Sequence, residues 1–440
     1  KSFLITIGDR SITGLVARDQ MVGPFQVPVA DVAVTRTSHS FDDNAAGEAM
    51  ASGERTPLSL FSGAAAARMA VGETLTNMAA AYIDDIRKIK LSANWMCSAG
   101  FQHDGAVLYD AVQAVGMDFC PRLGVSIPVG KDSMSMGMSW RSDRNENEPE
   151  HETRTVTAPV SPIVSGFAPV ANVSQTWTPT LRMLDDSCLL LVDLGHGRQR
   201  LGGSALAQVF REVGTEAPDV EEPEVLRAFF SAMNIMKQMH AGMPHSAPLV
   251  HAYHDRSDGG LLATVLEMSF AGRLGLDMDI TGILHDTPMA ALFNEELGAV
   301  LQVRVKDVSA VTSVLTSMGV PSNIIHTVAS VRGDEQINIK CRGETLLSST
   351  RAALQKAWAD TSFRMQSLRD NPECAKQELA FIDEPAETAS LKYELTFHPA
   401  KTLQWSNPAS IERPLASQPR VAILREQGVN GHIEMAWAFA

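Results

Sequence analysis

Apolar positions along this chain follow two periods. Short apolar runs that fit strands fall at residues 3–7, 26–34, 90–96, 124–130, 162–168, 187–195, 276–280, 299–305, 325–331 and 336–339. The run 124–130 reads as a buried strand. Helical spacing covers residues 59–84, 105–123, 205–213, 224–241, 261–271, 308–318 and 348–370. Between them, 17–24 and 40–53 read as loops, 142–155 as a charged, aperiodic hairpin tip, and 176–184 as a boundary. Residues 371–419, rich in Pro, Glu, Ser and Lys, read as a linker. A new strand at 420–424, a glycine turn and a helical start at 433–440 follow. The elements predict domains over 1–175 and 176–370, then the first unit of a third α/β domain at 420–440.

Two stretches carry chemistry. On the 59–84 helix, Ala66, Met69, Ala70, Glu73, Asn77, Ala80 and Ala81 share a face. It is small and apolar except for Glu73 and Asn77, which are four apart and lie one above the other. A polar pair on an apolar stripe needs a partner; a metal would supply one, and so would water at the stripe's edge. The second stretch is His254-Asp255-Arg256-Ser257-Asp258-Gly259-Gly260, read as a strand-to-helix turn. Ser or Asp there caps the helix, and a helix N-terminus suits phosphate. Carboxylates beside phosphate call for a hard cation such as Mg2+. A Mg–nucleotide site and a capped helix with a solvated turn both fit this stretch.

Weaker signals accompany them. Gly130-Lys131-Asp132-Ser133 fits an anion-binding turn or a solvated one, and lacks the spacing of a Walker A loop. Leu201-Gly202-Gly203-Ser204, before a helix, also suits phosphate. His254 reads as a satisfied turn histidine. Arg256 reads as neutralising Asp258 or a phosphate. Met134, Met136 and Met138 read as core packing.

Composition narrows the classes. At 440 residues, 45% hydrophobic and 20% charged, the chain suits a multi-domain globular protein. A net charge of −14 argues against nucleic acid or an anionic membrane as the main partner. Five scattered cysteines without a C-x-x-C pair point to a reduced, cytoplasmic setting. No apolar run approaches membrane-spanning length. The chain opens in a strand-like run without Met and closes inside a helical pattern, as a piece of a longer polypeptide would.

Motifs in order then carry a resemblance: Thr6-Ile7-Gly8-Asp9-Arg10, Ala17-Arg18-Asp19-Gln20-Met21-Val22-Gly23-Pro24, Gly47-Glu48-Ala49-Met50, Gly72-Glu73-Thr74-Leu75-Thr76-Asn77, Pro128-Val129-Gly130-Lys131-Asp132-Ser133-Met134-Ser135-Met136, the 254–260 stretch, and Leu424-Arg425-Glu426-Gln427-Gly428-Val429-Asn430-Gly431-His432. Together they resemble the large, single-chain phosphoribosylformylglycinamidine synthase family, over essentially the whole chain. That family takes formylglycinamide ribonucleotide, ATP and glutamine in purine synthesis, and uses glutamine-derived ammonia to make formylglycinamidine ribonucleotide.

The resemblance implies a mixed α+β and α/β fold: an aminoimidazole ribonucleotide synthetase-like unit with A-type (1–175) and B-type (176–370) domains, each the second copy. A truncated, flavodoxin-like class I glutaminase start follows at 420–440. It implies an auxiliary, structural site for Mg2+ with ADP or ATP. The metal ligands would be Asp31, Glu73, Asn77 and Asp255, and the nucleotide contacts Lys1, Ala30 and Ser257. Lys131, Asp132 and Ser133 fall at a possible substrate cleft. No catalytic residue is assigned: the catalytic ATP site, a catalytic histidine and the glutaminase cysteine would lie in other parts of the polypeptide, leaving this portion inactive alone. The alternative reading is a non-catalytic nucleotide-binding scaffold that stabilises a catalytic partner.

Overall fold

The computed structural model describes residues 15–37, 45–141, 153–242, 247–389, 394–397 and 420–439. Lys1 and the expected 3–7 strand fall outside them. In chain order come β1 (Val16–Arg18), β2 (Ala33–Arg36), β3 (Gly47–Glu54), α1 (Gly63–Met78), β4 (Lys90–Met96), α2 (Asp104–Gln113), β5 (Ser126–Ser133), β6 (Gly137–Arg141), β7 (Thr153–Thr157) and β8 (Ser161–Val170). They make a six-stranded sheet of order β1-β2-β3-β8-β4-β5 and a separate β6–β7 ribbon. Then follow β9 (Ser187–Asp193), α3 (Pro223–Gly242), β10 (Val250–Arg256), α4 (Gly260–Gly272), β11 (Gly275–Asp279), β12 (Gly298–Arg304), α5 (Val308–Met318), β13 (Ile325–Arg332), β14 (Gln336–Cys341), β15 (Glu344–Thr350) and α6 (Arg351–Arg369). Their seven-stranded sheet has the order β10-β12-β9-β13-β11-β14-β15. Both sheets are antiparallel except for one parallel pair each, β4–β5 and β11–β14, which makes the fold mixed α+β.

Helix α1 is the layer the two sheets share. Ser62 Oγ caps it by accepting from Ala65 N at 3.2 Å. Its small residues admit close neighbours: a Cβ on Gly72 would meet Leu297 Cδ2 at 2.9 Å, and one on Gly53 of β3 would meet Ala70 O at 2.1 Å. The helix ends at Met78 rather than at residue 84. Lys237 Nζ of α3 donates to Ala79 O at 2.6 Å, and Asn234 Oδ1 accepts from Ile83 N at 3.1 Å. Groups that a longer helix would satisfy internally are satisfied from α3 instead.

Several expectations fail for identifiable reasons. The 40–53 loop contains β3, whose buried positions are Gly47, Ala49, Ala51 and Gly53. Packing against α1 demands small residues there, which hides the usual apolar alternation. β5 is a solvent-exposed edge strand, not a buried one, and it runs on through Lys131, Asp132 and Ser133, so these are strand residues and not a turn. Met136 and Met138 are exposed, not core. β15 is polar and went unread. The supposed linker is helical at Pro372–Ala380 (α7) and Ala386–Ala389, and Gln366 Nε2 of α6 donates to Glu378 at 2.7 Å. In the separate unit that includes residues 393–440, α8 (His432–Phe439) forms, but 420–424 pairs with no strand among the described residues. A strand exists only through a ladder partner. Among the described residues, no helix is long and apolar enough to cross a membrane.

Gly53→Ala is expected to destabilise by about 1–3 kcal/mol through overpacking against α1. Gly116→Ala, with open space around its Cβ, should be neutral or slightly stabilising. Thermal or denaturant unfolding of the two variants checks the contrast.

Candidate metal and nucleotide site

The 254–260 stretch runs from strand through a turn at 257–259 into the helix, as expected, with its first three residues in the strand. His254, Asp255 and Arg256 end β10, opposite Val300, Ala299 and Gly298 of β12. Gly259, at φ 82°, precedes α4, and no side chain caps the helix, so neither Ser257 nor Asp258 has the expected capping role. Strand alternation sends successive side chains to opposite faces. Tyr253 Oη donates to Thr76 O of α1 at 2.6 Å, whereas His254 Nε2 meets Glu267 of α4 at 2.9 Å.

Asp31, just before β2, enters the same junction. Its Oδ1 accepts from His254 Nδ1 at 2.7 Å and from Asp255 N at 3.0 Å. Asp31 Oδ2 and Asp255 Oδ2 are buried without a hydrogen-bond partner. One potential ligand atom each from Asp31, His254 and Asp255 lies within 4.8 Å of the others. Both His254 nitrogens are engaged by carboxylates, so this histidine orients Asp31 and is not itself free to bind a metal. It is satisfied, as expected, but within the strand and not in a turn.

Glu73 and Asn77 project from α1 toward β3. Glu73 Oε2 accepts from Glu54 N at 2.8 Å, and Asn77 Nδ2 donates to Ser52 O at 3.1 Å, which leaves the Asn77 amide oxygen outside that bond. Glu73 stands outside the tight Asp31–Asp255 group but is coupled to it by charge. Burial first, then Asp31 and Glu73, raises the Asp255 carboxyl well above its usual range. Burial also raises Glu73 to about 7, against the pull of Arg55. For His254, burial acts downward, but Asp31 and Glu267 outweigh it and push the imidazole up to about 10. The junction therefore gathers carboxylates that resist being charged together, the condition a bound cation relieves. Ala30 and Asp31 line a cavity of 790 Å³; Ser257 is half-buried at the start of the turn. Lys131, Asp132 and Ser133 are exposed or half-exposed on β5, where Lys131 Nζ donates to Ser133 Oγ at 2.9 Å; no contact joins them to this junction.

Sequence reasoning missed Arg55 and Glu295. Arg55 is 3% exposed and donates to Glu295 O at 2.7 Å and to Asp258 Oδ1 at 3.3 Å. Glu295 Oε1 accepts from both Ala205 N and Gly259 N at 2.8 Å. One backbone donor after the 201–204 loop and one before α4, at places read as phosphate-binding, are thus occupied by the chain's own carboxylate. The signal available was Glu295-Glu296 placed directly before an apolar strand. Arg256 pairs with neither Asp258 nor an open phosphate position; it reaches Asp193 and the carbonyls of Glu296 and Leu297.

Comparison with known proteins follows the same outline. Residues 1–169 match the FGAR-AT PurM_N-like domain, and residues 187–336 match the AIR synthase related protein C-terminal domain. Phosphoribosylformylglycinamidine synthase of Schizosaccharomyces pombe is 47% identical over 444 residues, spanning 100% of this chain. The chain belongs to the phosphoribosylformylglycinamidine synthase family. It spans 32% of that relative's length. Thermotoga maritima PurL complexed with FGAR shares the fold at TM-score 0.53 and 15% identity, over 74% of this chain and 47% of that one. The same protein complexed with ADP gives 0.51 and 12%, over 76% and 47%. In this family member the two matched domains meet at the junction built from Asp31, Glu73, Arg55 and β10.

Arg55→Met should cost about 3–5 kcal/mol, because it leaves Glu295 and Glu73 buried without their cation. Equilibrium unfolding measures it; a loss below about 1 kcal/mol would show that Arg55 is not the neutralising group.

Proposed function

We propose that the chain is part of an ATP-dependent ligase of purine biosynthesis that converts formylglycinamide ribonucleotide and glutamine to formylglycinamidine ribonucleotide, in the cytoplasm. Its own contribution is an architectural site for Mg2+ with ADP or ATP. Asp31, Glu73, Asn77 and Asp255 would hold the metal, and Ala30, Ser257 and Lys1 would contact the nucleotide; Lys1 lies outside the described residues. The observation that carries this reading is the pair of buried, unpartnered oxygens, Asp31 Oδ2 and Asp255 Oδ2, with Glu73 adding a third carboxylate. Three carboxylates and an amide oxygen form the hard donor set that Mg2+ prefers. Mg2+ bound there would offset both these carboxylates and a polyphosphate.

On this reading the chemistry belongs to the remaining parts of the polypeptide, and this portion alone is inactive. Residues 420–440 would begin its glutaminase domain, and Lys131, Asp132 and Ser133 would face a shared substrate cleft. The apolar side chains of Val129, Met138, Trp140 and Val156, exposed along β5 and the β6–β7 ribbon, favour the second reading as well, a nucleotide-holding scaffold that supports a catalytic partner half.

Nucleotide released by heat from the purified chain, and thermal unfolding with ADP and Mg2+, test the site. At a hundredfold excess over Kd, ligand should stabilise the protein by about 2.7 kcal/mol. EDTA should remove the effect, and Asp255→Asn should weaken binding by about 10- to 100-fold. A folded protein that carries no nucleotide and shows no shift would end the proposal.

A further inference from the structure

Away from the carboxylates, the same cavity turns basic. Arg18 of β1 and Arg182 both line it, together with Thr178 and Thr180. The Arg182 backbone is fixed by Gln302 of β12: Gln302 Oε1 accepts from Arg182 N at 2.9 Å and Gln302 Nε2 donates to Arg182 O at 2.7 Å. Two residues further along, Arg304 ends β12, close enough to His251 of β10 to act on it by charge. Arg304 Nε and His251 Nε2 are buried atoms without a hydrogen-bond partner. Such atoms are uncommon in native proteins and ask what they are meant to bind.

The charges reinforce the geometry. Several arginines of this acidic chain find carboxylates, as Arg68 does on Asp219, Arg122 on Glu224 and Arg332 on Asp277. Arg18, Arg182 and Arg304 have no ion pair among the described residues. Instead they repel one another: burial and Arg182 lower Arg18, and burial, Arg304 and Arg182 lower His251. The acids nearby do not cancel this. Asp19 Oδ1 accepts from Met21 N at 3.0 Å, Asp31 is held by His254 and Asp255, and Asp307 acts only weakly on His251. His251 stands four residues before Asp255 in β10, about 13 Å along the strand, so the basic end is separate from the carboxylate junction.

We propose that Arg18, Arg182, Arg304 and His251 form an anion site for the phosphate group of a small molecule. Guanidinium forks match phosphate oxygens two at a time, and the threonine hydroxyls supply further donors. The site needs no metal and does not rest on the Mg–nucleotide reading.

The test is calorimetric titration of the whole chain with inorganic phosphate in the presence of EDTA. Saturable binding tighter than about 1 mM is expected. It should fall at least about tenfold in Arg182→Gln and in Arg18→Gln, both shown to be folded by circular dichroism, and persist in Asp255→Asn. No saturable binding by folded protein overturns the site, as does equal binding in wild type and both arginine variants. Loss of binding in folded Asp255→Asn alone would move the anion to the carboxylate junction and also overturn it.

Discussion

Buried carboxylates crowd one junction, and the rest of the structure depends on how they are neutralised. Asp31, Glu73 and Asp255 arrive from three separate segments; His254 comes in beside Asp255 on β10, and Arg55 comes from a fourth segment. An unpaired buried charge costs several kcal/mol, so none of these groups is stable until the others are present. Arg55 follows β3 of the first sheet, yet its partners Glu295 and Asp258 belong to loops of the second. Site assembly and domain packing are therefore one event. This also explains the smallness of α1 and β3: Gly53 brings β3 against Ala70 and Thr74 of α1, so that Glu73 reaches the Glu54 backbone, and Gly72 admits Leu297 of the second domain.

What the sequence disclosed follows from where periodicity and chemistry coincide. Glu73 and Asn77 stood out because they broke an apolar stripe, and Asp255 because it was grouped with glycines before a helix. The second sheet's inner strands were readable because covered strands are apolar: every residue of β9 is buried. β3 was missed because glycine and alanine carry too little hydrophobic signal, although every second residue is buried. Residues 124–130 read as a buried strand because Val125, Ile127 and Val129 are apolar; an edge has the same composition when another surface is meant to cover it. Arg55 and Glu295 were invisible for a different reason. The partners of Arg55 lie 203 and 240 residues away, and those of Glu295 lie 36, 90 and 240 away, separations that local spacing cannot encode.

Glu295 also corrects a habitual inference. A glycine-rich turn before a helix suggests phosphate because its backbone N–H groups point outward unpaired. Here two such places exist, at Ala205 and Gly259, and one carboxylate oxygen serves both. Glu295 thus does internally what a phosphate would do from outside, and Arg55 balances its charge. A phosphate at either place would have to compete with this carboxylate. The 790 Å³ cavity is lined by Asp31 as well as by Arg18 and Arg182: a carboxylate attracts phosphate only through a cation, whereas arginines attract it directly. If both proposed sites hold, the polarity of the cavity, rather than the glycine loops, governs which anions this chain binds and which of them require a metal.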